Sequence, residues 1–507
     1  MSINRNSKIC RPSSASQPLH GDRLHDLPDE LLTRILSMLP TKDASAMQVL
    51  SKRMRRAFTY ITSLNIDDSP VSLCPDKPRH AKHSPIFDSF VDKTLQKFSN
   101  SGMPLARFRL FLGEDKSPHY HFLDDRNDCE STICYSNLEP TRLNLWISYP
   151  LAYSSLTELD LSFHVSNPND FEIPVGIFTC RSLEVLKLDS NLEIDDNEFP
   201  LICLPDLKLL HLRSFVFTDD VFVTRLVSSC PDLEDLSITY CSWRVLDRLT
   251  ISSRSLRRLV LDVWNYDTDD KHRDDVLIDA PNLEYFDYDD FLATSYSIVH
   301  MNGLAKTYIR IVTSLNYVDE DTCFRSHLSL ITAFSHVQHL ALLGYCVENV
   351  YFSGELKDQL PVFHALKTLE LDAFFDARWD IVLSLFLCRS PLLETLIFPK
   401  GLCVDIYGNF VCSDLSREDI RTSREEAKAW RTNKTIPSCY MSRLKRIQVN
   451  DCYERNRELN MIRFFLRQAP ALTELVIWVY EGFNPIALQR QLEQVLRAST
   501  LCSITVQ

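Results

Sequence analysis

The sequence predicts a mixed α/β protein in which a short helical segment precedes a long array of strand–helix units. Three observations support this fold class: an apolar triplet that recurs along most of the chain, amphipathic stretches between the triplets, and a leucine-rich helical pattern at residues 22–66. Of the 507 residues, 45% are hydrophobic and 24% are charged, which is enough apolar material for a large core. The chain has only 10 glycines, so glycine-rich phosphate-binding loops are not expected.

The apolar triplet has the spacing Leu-x-x-Leu-x-Leu, in which other apolar residues replace leucine at some positions. The alternation in its second half predicts a short strand with one buried face, and the first leucine closes the core where the chain enters the strand. The triplets begin at Leu105, Leu156, Leu183, Leu207, Leu233, Leu256, Leu283, Val337, Leu366, Leu393, Leu444 and Leu472. Most of the intervals fall within the period of roughly 20–29 residues that is typical of leucine-rich repeats. The wider interval after Leu283 predicts a degenerate unit near residues 304–311.

The stretches between the triplets are amphipathic and long enough for a few helical turns. Several end in a small residue followed by proline, as at Cys230-Pro231 and Ala469-Pro470, and proline ends a helix because it has no N–H for the next backbone hydrogen bond. One helix and one strand cannot bury their apolar faces alone, but stacked units can, so the pattern predicts a curved solenoid. The alternative is an ordinary α/β domain with leucine-rich strands.

Charge and cysteine usage limit the class of protein. The formal net charge is −13. A protein that binds nucleic-acid phosphates normally carries a net positive charge, so we expect no nucleic-acid partner. The first residues lack the apolar stretch of a secretory signal, and no apolar run is long enough to cross a bilayer, so we expect no membrane partner. The 16 cysteines are scattered rather than concentrated in a short module, which is typical of reduced thiols in the cytoplasm and/or nucleus.

Residues 24–58 predict three short helices with more leucine than they can bury together. Pro28 suits a first helical turn, Pro40 ends the first helix, and Ser51 is positioned to cap the third. The apolar stripe of the first helix consists of Leu31, Leu32, Ile35, Leu36 and Leu39. Because so small a unit cannot cover this stripe, part of it must dock on another surface.

This segment resembles the F-box in its plant form, with a close match over residues 26–53. Two positions depart from the family pattern: Met54 stands where tryptophan is usual, and Ala57-Phe58 replaces a frequent Leu-Trp pair. The resemblance implies binding to a Skp-type adaptor and, through it, to the cullin of an SCF ubiquitin ligase. By the family pattern, the residues that would form or support the adaptor surface are Leu27, Pro28, Leu31, Leu32, Ile35, Leu36, Leu39, Pro40, Val49 and Leu50.

The C-terminal residues 436–507 resemble the FBD domain, which follows leucine-rich repeats in many plant F-box proteins. Met461, Phe464, Phe465 and Leu466 supply the buried face of its helix, and the module would cap the open end of a solenoid. The expected organisation is a disordered tail at 1–21, an F-box at 22–66, an extended connector at 67–99, leucine-rich repeats at 100–435 and the FBD domain at 436–507. A charged insertion is expected at 417–433.

No catalytic residue is expected, because no pattern typical of an activated nucleophile occurs. No metal or other cofactor is expected either, since one candidate zinc cluster has a spacing that fits no common module. This cluster would comprise His119, His121, Cys129 and Cys134. The basic run at 52–56 fits the third helix better than a nuclear localisation signal, and the acidic group at 267–275 is either a solvated loop or attracts a basic partner.

Together these features predict a substrate-recognition subunit of an SCF ligase whose repeats bind an unknown target protein. The expected target-binding side chains lie between the buried leucines of the strands, at Glu158, Asp160, Glu184, Lys187, Lys208, His211, Glu234, Arg257, Lys367 and Glu370. Two alternatives stay open. One is an adaptor-binding scaffold without a role in ubiquitination, and the other is a receptor that needs a small molecule, which would require clustered Arg and Lys on the inner repeat face.

Overall fold

The structure is a computed structural model. It describes residues 27–68, 85–112, 138–243, 248–263, 275–290, 292–299, 301, 303–311, 320–344, 346–347, 350, 359–372, 379–402, 441–452, 456–480, 482 and 484–507. The expected tail, the candidate zinc cluster, most of the acidic group at 267–275 and the charged insertion lie outside these ranges. In the part of the chain that is described, none of the helices is long and apolar enough to span a membrane.

The N-terminal helical segment contains helices α1 (Asp29–Met38), α2 (Thr41–Ala46) and α3 (Lys52–Phe58), with a 3-10 turn at Met47–Val49. Pro40 directly precedes α2 and separates it from α1. Ser51 caps α3 as predicted, because its Oγ accepts the backbone N–H of Met54 at 3.0 Å. Arg53 Nε donates to Asp29 Oδ1 at 2.6 Å, so an ion pair joins α3 to the first turn of α1.

A parallel sheet of 17 strands dominates the described residues. Its main ladder runs β1–β2–β3–β4–β6–β8–β10–β12–β14–β15–β16–β17–β18–β19–β20. The strand bounds are β1 Ser63–Asp67, β2 Arg107–Leu112, β3 Glu158–Phe163, β4 Val185–Asp189, β5 Glu193–Ile194, β6 Leu209–Arg213, β7 Val216–Phe217, β8 Asp235–Trp243, β9 Arg248–Ser252, β10 Arg258–Val263, β11 Asp275–Asp279, β12 Tyr285–Asp290, β13 Ser295–Val299, β14 Lys306–Ile311, β15 His339–Gly344, β16 Thr368–Leu371, β17 Thr395–Phe398, β18 Arg446–Cys452, β19 Glu474–Val479 and β20 Ser503–Val506.

The register confirms the triplet pattern. Equivalent leucines of successive units are direct partners, as in Leu159 with Leu186 and Leu186 with Leu210, and all three are 0% exposed. The stacked leucines therefore form one continuous core beneath the sheet. The degenerate unit predicted near 304–311 is also confirmed, because β14 pairs with both β12 and β15.

The layer behind the main sheet varies along the chain. Helices supply it at α4 (Pro85–Ser101), α5 (Pro140–Leu151), α6 (Val221–Ser228), α7 (Glu320–Ala333), α8 (Trp379–Arg389), α9 (Asn456–Gln468) and α10 (Pro485–Glu493). Between β8 and β14, however, the returning segments form a second parallel sheet in the order β9–β11–β13. The expected strand–helix alternation therefore fails in these units, where strands replace the helices.

The extended connector expected at 67–99 is wrong in its second half. Residues 85–101 form α4, whose apolar side chains Phe87, Val91, Leu95 and Phe98 are buried. Pro85 stands at the start of this helix, where proline is tolerated, so it marks a helix boundary rather than extended chain. Strand β1, which lies at the end of the expected F-box range, is hydrogen-bonded to β2 as part of the repeat sheet.

Candidate interaction surfaces

Five apolar side chains of the N-terminal helical segment face outward and are here called the apolar ridge. Their exposed fractions are 46% for Leu31, 36% for Ile35, 66% for Met38, 85% for Val49 and 70% for Leu50. The first three lie on α1, at the spacing that places side chains on one helical face, and the last two lie at the turn before α3. Exposed apolar residues clustered in this way are typical of a protein-binding surface.

The structure divides the residues assigned to the adaptor surface into three groups: buried, half-buried and exposed. Leu32 and Leu36 are 1% exposed and belong to the chain's own core, so they support the surface without being able to contact a partner. Leu27 and Leu39 are half-buried, whereas Pro28, Leu31, Ile35, Pro40, Val49 and Leu50 are exposed. Sequence reasoning missed Met38, although its position three residues after Ile35 places it on the same face.

Helix α3 packs inward and fixes the position of the ridge. Met54 and Phe58, the two departures from the family pattern, are 4% and 2% exposed. Lys97 of α4 lies over the Phe58 ring, with its Nζ 5.0 Å from the ring centroid. Because Met54 is buried within a helix, the basic run at 52–56 is not available as an extended nuclear localisation signal in this fold.

The helical segment is attached to the repeat sheet by hydrogen bonds. The hydroxyl of Thr41, in α2, accepts the backbone N–H of Asn65 in β1 at 2.7 Å. Lys97 of α4 donates a hydrogen bond to Gln48 in the 3-10 turn. These contacts place the apolar ridge and the first repeat strand in one packed unit.

The inner face of the sheet is formed by the strand side chains that alternate with the buried leucines, and a row of charged residues just before the strands pairs from one unit to the next. Lys208 Nζ donates to Glu184 Oε2 at 2.8 Å, and Arg257 donates to Glu284 at 2.6 Å. Backbone bonds stack Glu184, Lys208, Glu234, Arg257 and Glu284 in one row of alternating sign. The chain therefore neutralises much of the charge expected to bind a target.

The other residues expected to bind the target, apart from Lys367, lie within strands on the inner face, and most of them have a charged or polar neighbour on the next strand. Asp160 lies 3.4 Å from Arg109, Glu158 lies 4.0 Å from Arg107, and Glu370 is 2.7 Å from His339. His211 Nε2 is 3.4 Å from Asp235. Lys187 interacts with Asp160, while Lys367 is exposed just before β16.

The centre of the inner face carries an aromatic and acidic group that sequence reasoning missed. The rings of Tyr285 and Tyr308 are 5.7 Å apart, and Arg258 lies 5.1 Å from the Tyr285 centroid. On neighbouring positions, burial raises the pKa of Asp262 to about 6 and that of Asp289 to about 7. The only signal in the sequence was the alternation Tyr-x-Asp-x-Asp from residue 285, which places three polar side chains on one face of β12.

The thiols of the buried cysteines Cys230 and Cys241 are enclosed by the fold. Burial raises the pKa of Cys230 to about 12, so its thiol stays protonated at neutral pH. Cys241 Sγ donates to backbone carbonyls, including that of Thr239 at 3.4 Å, and Asn191 bonds both the N–H and the C=O of Val165 at 2.8 Å. Within the described ranges, no group of three or more His, Cys, Asp or Glu side chains could hold a metal ion.

Comparison with known proteins identifies both parts of the chain. A model of the F-box domain matches residues 24–63, and a model described as FBD-associated F-box protein At5g56370, LRR repeats, matches residues 143–342. F-box/LRR-repeat protein At4g14096 of Arabidopsis thaliana is 30% identical over 90% of this chain and 88% of its own length. F-box/LRR-repeat protein At4g14103 of the same plant is 31% identical over 75% of this chain and 92% of its own length. The chain therefore belongs to the plant F-box/FBD/LRR-repeat family, with an F-box domain followed by leucine-rich repeats.

Proposed function

We propose that the protein is a substrate-recognition subunit of an SCF ubiquitin ligase. The F-box binds a Skp-type adaptor, the adaptor links it to a cullin, and the inner face of the repeats binds a target protein. The chain contributes no catalytic residue of its own. Its contribution is proximity, because a target held beside the ligase is modified at a much higher effective concentration. Such a complex acts in the cytoplasm and/or the nucleus.

The observation that carries this proposal is the apolar ridge. Fully burying one such side chain contributes roughly 1.5–3 kcal/mol, so five of them offer on the order of 7–15 kcal/mol at most. Association costs an estimated 4–15 kcal/mol or so, which is of the same size. Useful affinity therefore requires the whole ridge, and charging part of it is expected to abolish binding.

The test is capture of a co-expressed Skp-type adaptor by the full chain. Leu31→Asp combined with Ile35→Asp places two charges in the ridge at exposed positions, so the fold is retained while the adaptor is lost. The matched control is Ile86→Asp with Leu145→Asp, because these apolar residues on α4 and α5 are 81% and 69% exposed but lie outside the ridge. Unchanged capture by the ridge variant, or equal loss in the control, contradicts the proposal.

The finer domain assignments are part of the same proposal. The three helices α1 to α3 form the F-box of residues 22–66, and residues 100–435 hold the repeats. Residues 436–507 form an FBD domain that caps the solenoid, and its described elements are β18, α9, β19, α10 and β20. This assignment is supported by the inward packing of α9, since Met461, Phe465 and Leu466 are at most 1% exposed.

A further inference from the structure

Cationic side chains border the apolar ridge, although the chain as a whole is acidic. Residues 27–58 contain six cationic and three acidic side chains, a net charge of +3 within a chain whose net charge is −13. Arg34 lies on α1 three residues after Leu31, so it belongs to the helical face that carries the ridge. Lys52 is the first residue of α3 and follows Leu50 of the ridge by two positions. Both cations are exposed, so both parts of the ridge have a positive charge beside them.

A further cation comes from outside the F-box helices. Lys97 of α4 donates a hydrogen bond to Gln48, the residue before Val49 of the ridge. Partial burial lowers the pKa of Lys97, and the positive charge of Arg55 on α3 adds to this effect. Two like charges therefore lie near each other at this end of the ridge. The four cations Arg34, Lys52, Arg55 and Lys97 are here called the cationic rim.

None of the four cations forms an ion pair with a carboxylate in the part of the chain that the structure describes. The three acidic side chains of the F-box helices have other roles. Asp29 pairs with Arg53 at 2.6 Å, whereas Glu30 and Asp43 stand in the first turns of α1 and α2, where the helix dipole favours a negative charge. The rim is therefore not neutralised from within the F-box.

The carboxylates of α4 are bound by the next helix. Arg142 of α5 lies 2.9 Å from Asp88 and 3.7 Å from Asp92. Although these carboxylates share a helix with Lys97, their counter-ion is on α5, and the charge that acts on Lys97 is that of Arg55.

The helix dipole explains only part of this basic border. It favours Arg55 and the exposed Arg56, because both stand in the last turn of α3. It disfavours Lys52 at the first position of the same helix, and Arg34 stands in the middle of α1. The positions of Lys52 and Arg34 thus have no explanation within the fold, which indicates an anionic partner.

We propose that the face of the adaptor that covers the apolar ridge carries carboxylates that contact the cationic rim, and that Lys97 extends this contact from the F-box onto α4. The inference rests on the proposed function, because it names the charge of the surface that the F-box binds. Charges at the border of an interface act mainly on the association rate, since they attract and orient the partner before the apolar surfaces meet. An acidic protein surface fits better than a nucleic acid, because the ridge inside the rim requires an apolar surface that a phosphate backbone does not offer.

The test measures association of a purified Skp-type adaptor with the full chain by biolayer interferometry at about 0.1 M and about 1 M NaCl, between which the screening length falls from about 10 to about 3 Å. For the wild type we expect the association rate constant to fall by about tenfold and the dissociation rate constant to change by less than about threefold. Arg34→Gln combined with Arg55→Gln slows association about fivefold at the lower salt and weakens its salt dependence. Both side chains are exposed and unpaired, so the fold is retained. Adding Lys97→Gln slows association about twofold further, and an unchanged rate would overturn the part assigned to α4.

The matched control is Arg467→Gln with Arg490→Gln. These exposed residues of α9 and α10 carry the same charge at the other end of the chain, so their loss slows association by less than about twofold. Equal slowing in the two variants, or a wild-type rate that does not depend on salt, overturns the rim.

Two further measurements separate this inference from its competitors. Binding of a fluorescein-labelled DNA duplex that Arg34→Gln and Arg55→Gln abolish, with unchanged adaptor kinetics, would assign the rim to nucleic acid and overturn the inference. Adaptor capture with an association rate that these substitutions do not alter removes the inference alone. Absence of capture, or capture that is insensitive to Leu31→Asp and Ile35→Asp, removes the ligase proposal and the inference with it.

Discussion

Asp262 shows how the inner face changes the chemistry of a single residue. Burial raises its pKa from 3.8 to about 6, and repulsion from Asp287 and Asp290 adds to this effect, while Arg310 and Arg213 oppose it. The folded state therefore binds the proton more tightly than the unfolded chain does. Since a raised carboxyl pKa means that ionisation disfavours the fold, the contribution of Asp262 to the free energy of unfolding decreases as the pH rises from about 4 to about 6.

Replacement of this carboxylate by a neutral isostere is expected to stabilise the protein above that range. Asp262→Asn raises the free energy of unfolding by about 1–3 kcal/mol at pH 8 and by less at pH 5. Denaturant unfolding of wild type and variant at the two pH values measures the difference. Asp206→Asn, at an exposed turn, serves as the control and is expected to change stability little at either pH. A gain that does not grow with pH contradicts the raised pKa.

At the scale of secondary-structure elements, α2 and the 3-10 turn after it connect two surfaces. Thr41 and Ala44 are buried against the repeat sheet, whereas Val49 and Leu50 belong to the exposed ridge. In the described structure β1 pairs only with β2, so its other side would be an open strand edge. Thr41 satisfies the N–H of Asn65 in this strand, and the F-box thus protects the first edge of the sheet.

Removal of the Thr41 hydroxyl tests this role. Thr41→Val keeps the shape of the side chain but leaves the Asn65 N–H without its acceptor, which costs about 1–3 kcal/mol. Hydrogen–deuterium exchange should become faster in β1 while exchange in β16 to β20 stays the same. Thr33→Val is the control, because the Thr33 hydroxyl bonds only the Asp29 carbonyl within α1. Unchanged exchange in β1 would show that the bond contributes nothing.

At the scale of the whole molecule, the sequence predicted the repeated strands better than it predicted helix α4 or the grouping of side chains from different strands. The triplets determine how successive strands align, because each unit repeats the same buried positions. The period of the triplets therefore predicted even the degenerate strand β14. Helix α4 was missed because the prolines and lysines before and within it concealed the apolar spacing of Val91, Leu95 and Phe98. The central acidic group could not be predicted, since only the parallel register brings Asp262 and Asp287 together from different repeat units.

The apolar ridge was predicted only in part for a different reason. Leu31 and Leu32 are adjacent in one wide stripe, and the sequence pattern does not say which side of the stripe faces the chain's own core. Packing against the rest of the F-box buries Leu32 and Leu36 and leaves Leu31 and Ile35 outside. An apolar stripe that is too wide for the chain's own core to cover therefore predicts that a partner exists. The stripe alone does not define which of its residues contact that partner.

The F-box and the repeats share one hydrophobic core, which runs without a break from Leu32 to Val506. Phe58 lies at the junction, where it is 2% exposed and contacts Lys97 of α4. An F-box joined in this way cannot move freely relative to the repeats. In the proposed complex, the geometry between adaptor and target is therefore set by the fold and depends on side chains at the junction.

Phe58→Ala measures this coupling. Loss of a buried phenylalanine side chain costs about 3–5 kcal/mol, and because repeat units are coupled to their nearest neighbours, the cost should spread across the junction and fade along the sheet. Hydrogen–deuterium exchange is expected to increase in α1 to α3 and also in β1, α4 and β2, but not in β17 to β20. Phe465→Ala, at the opposite end, is the matched control and should produce the reverse distribution. If Phe58→Ala accelerates exchange only in α1 to α3, the F-box is an independent module, and the orientation of the target relative to the ligase is not fixed by the junction.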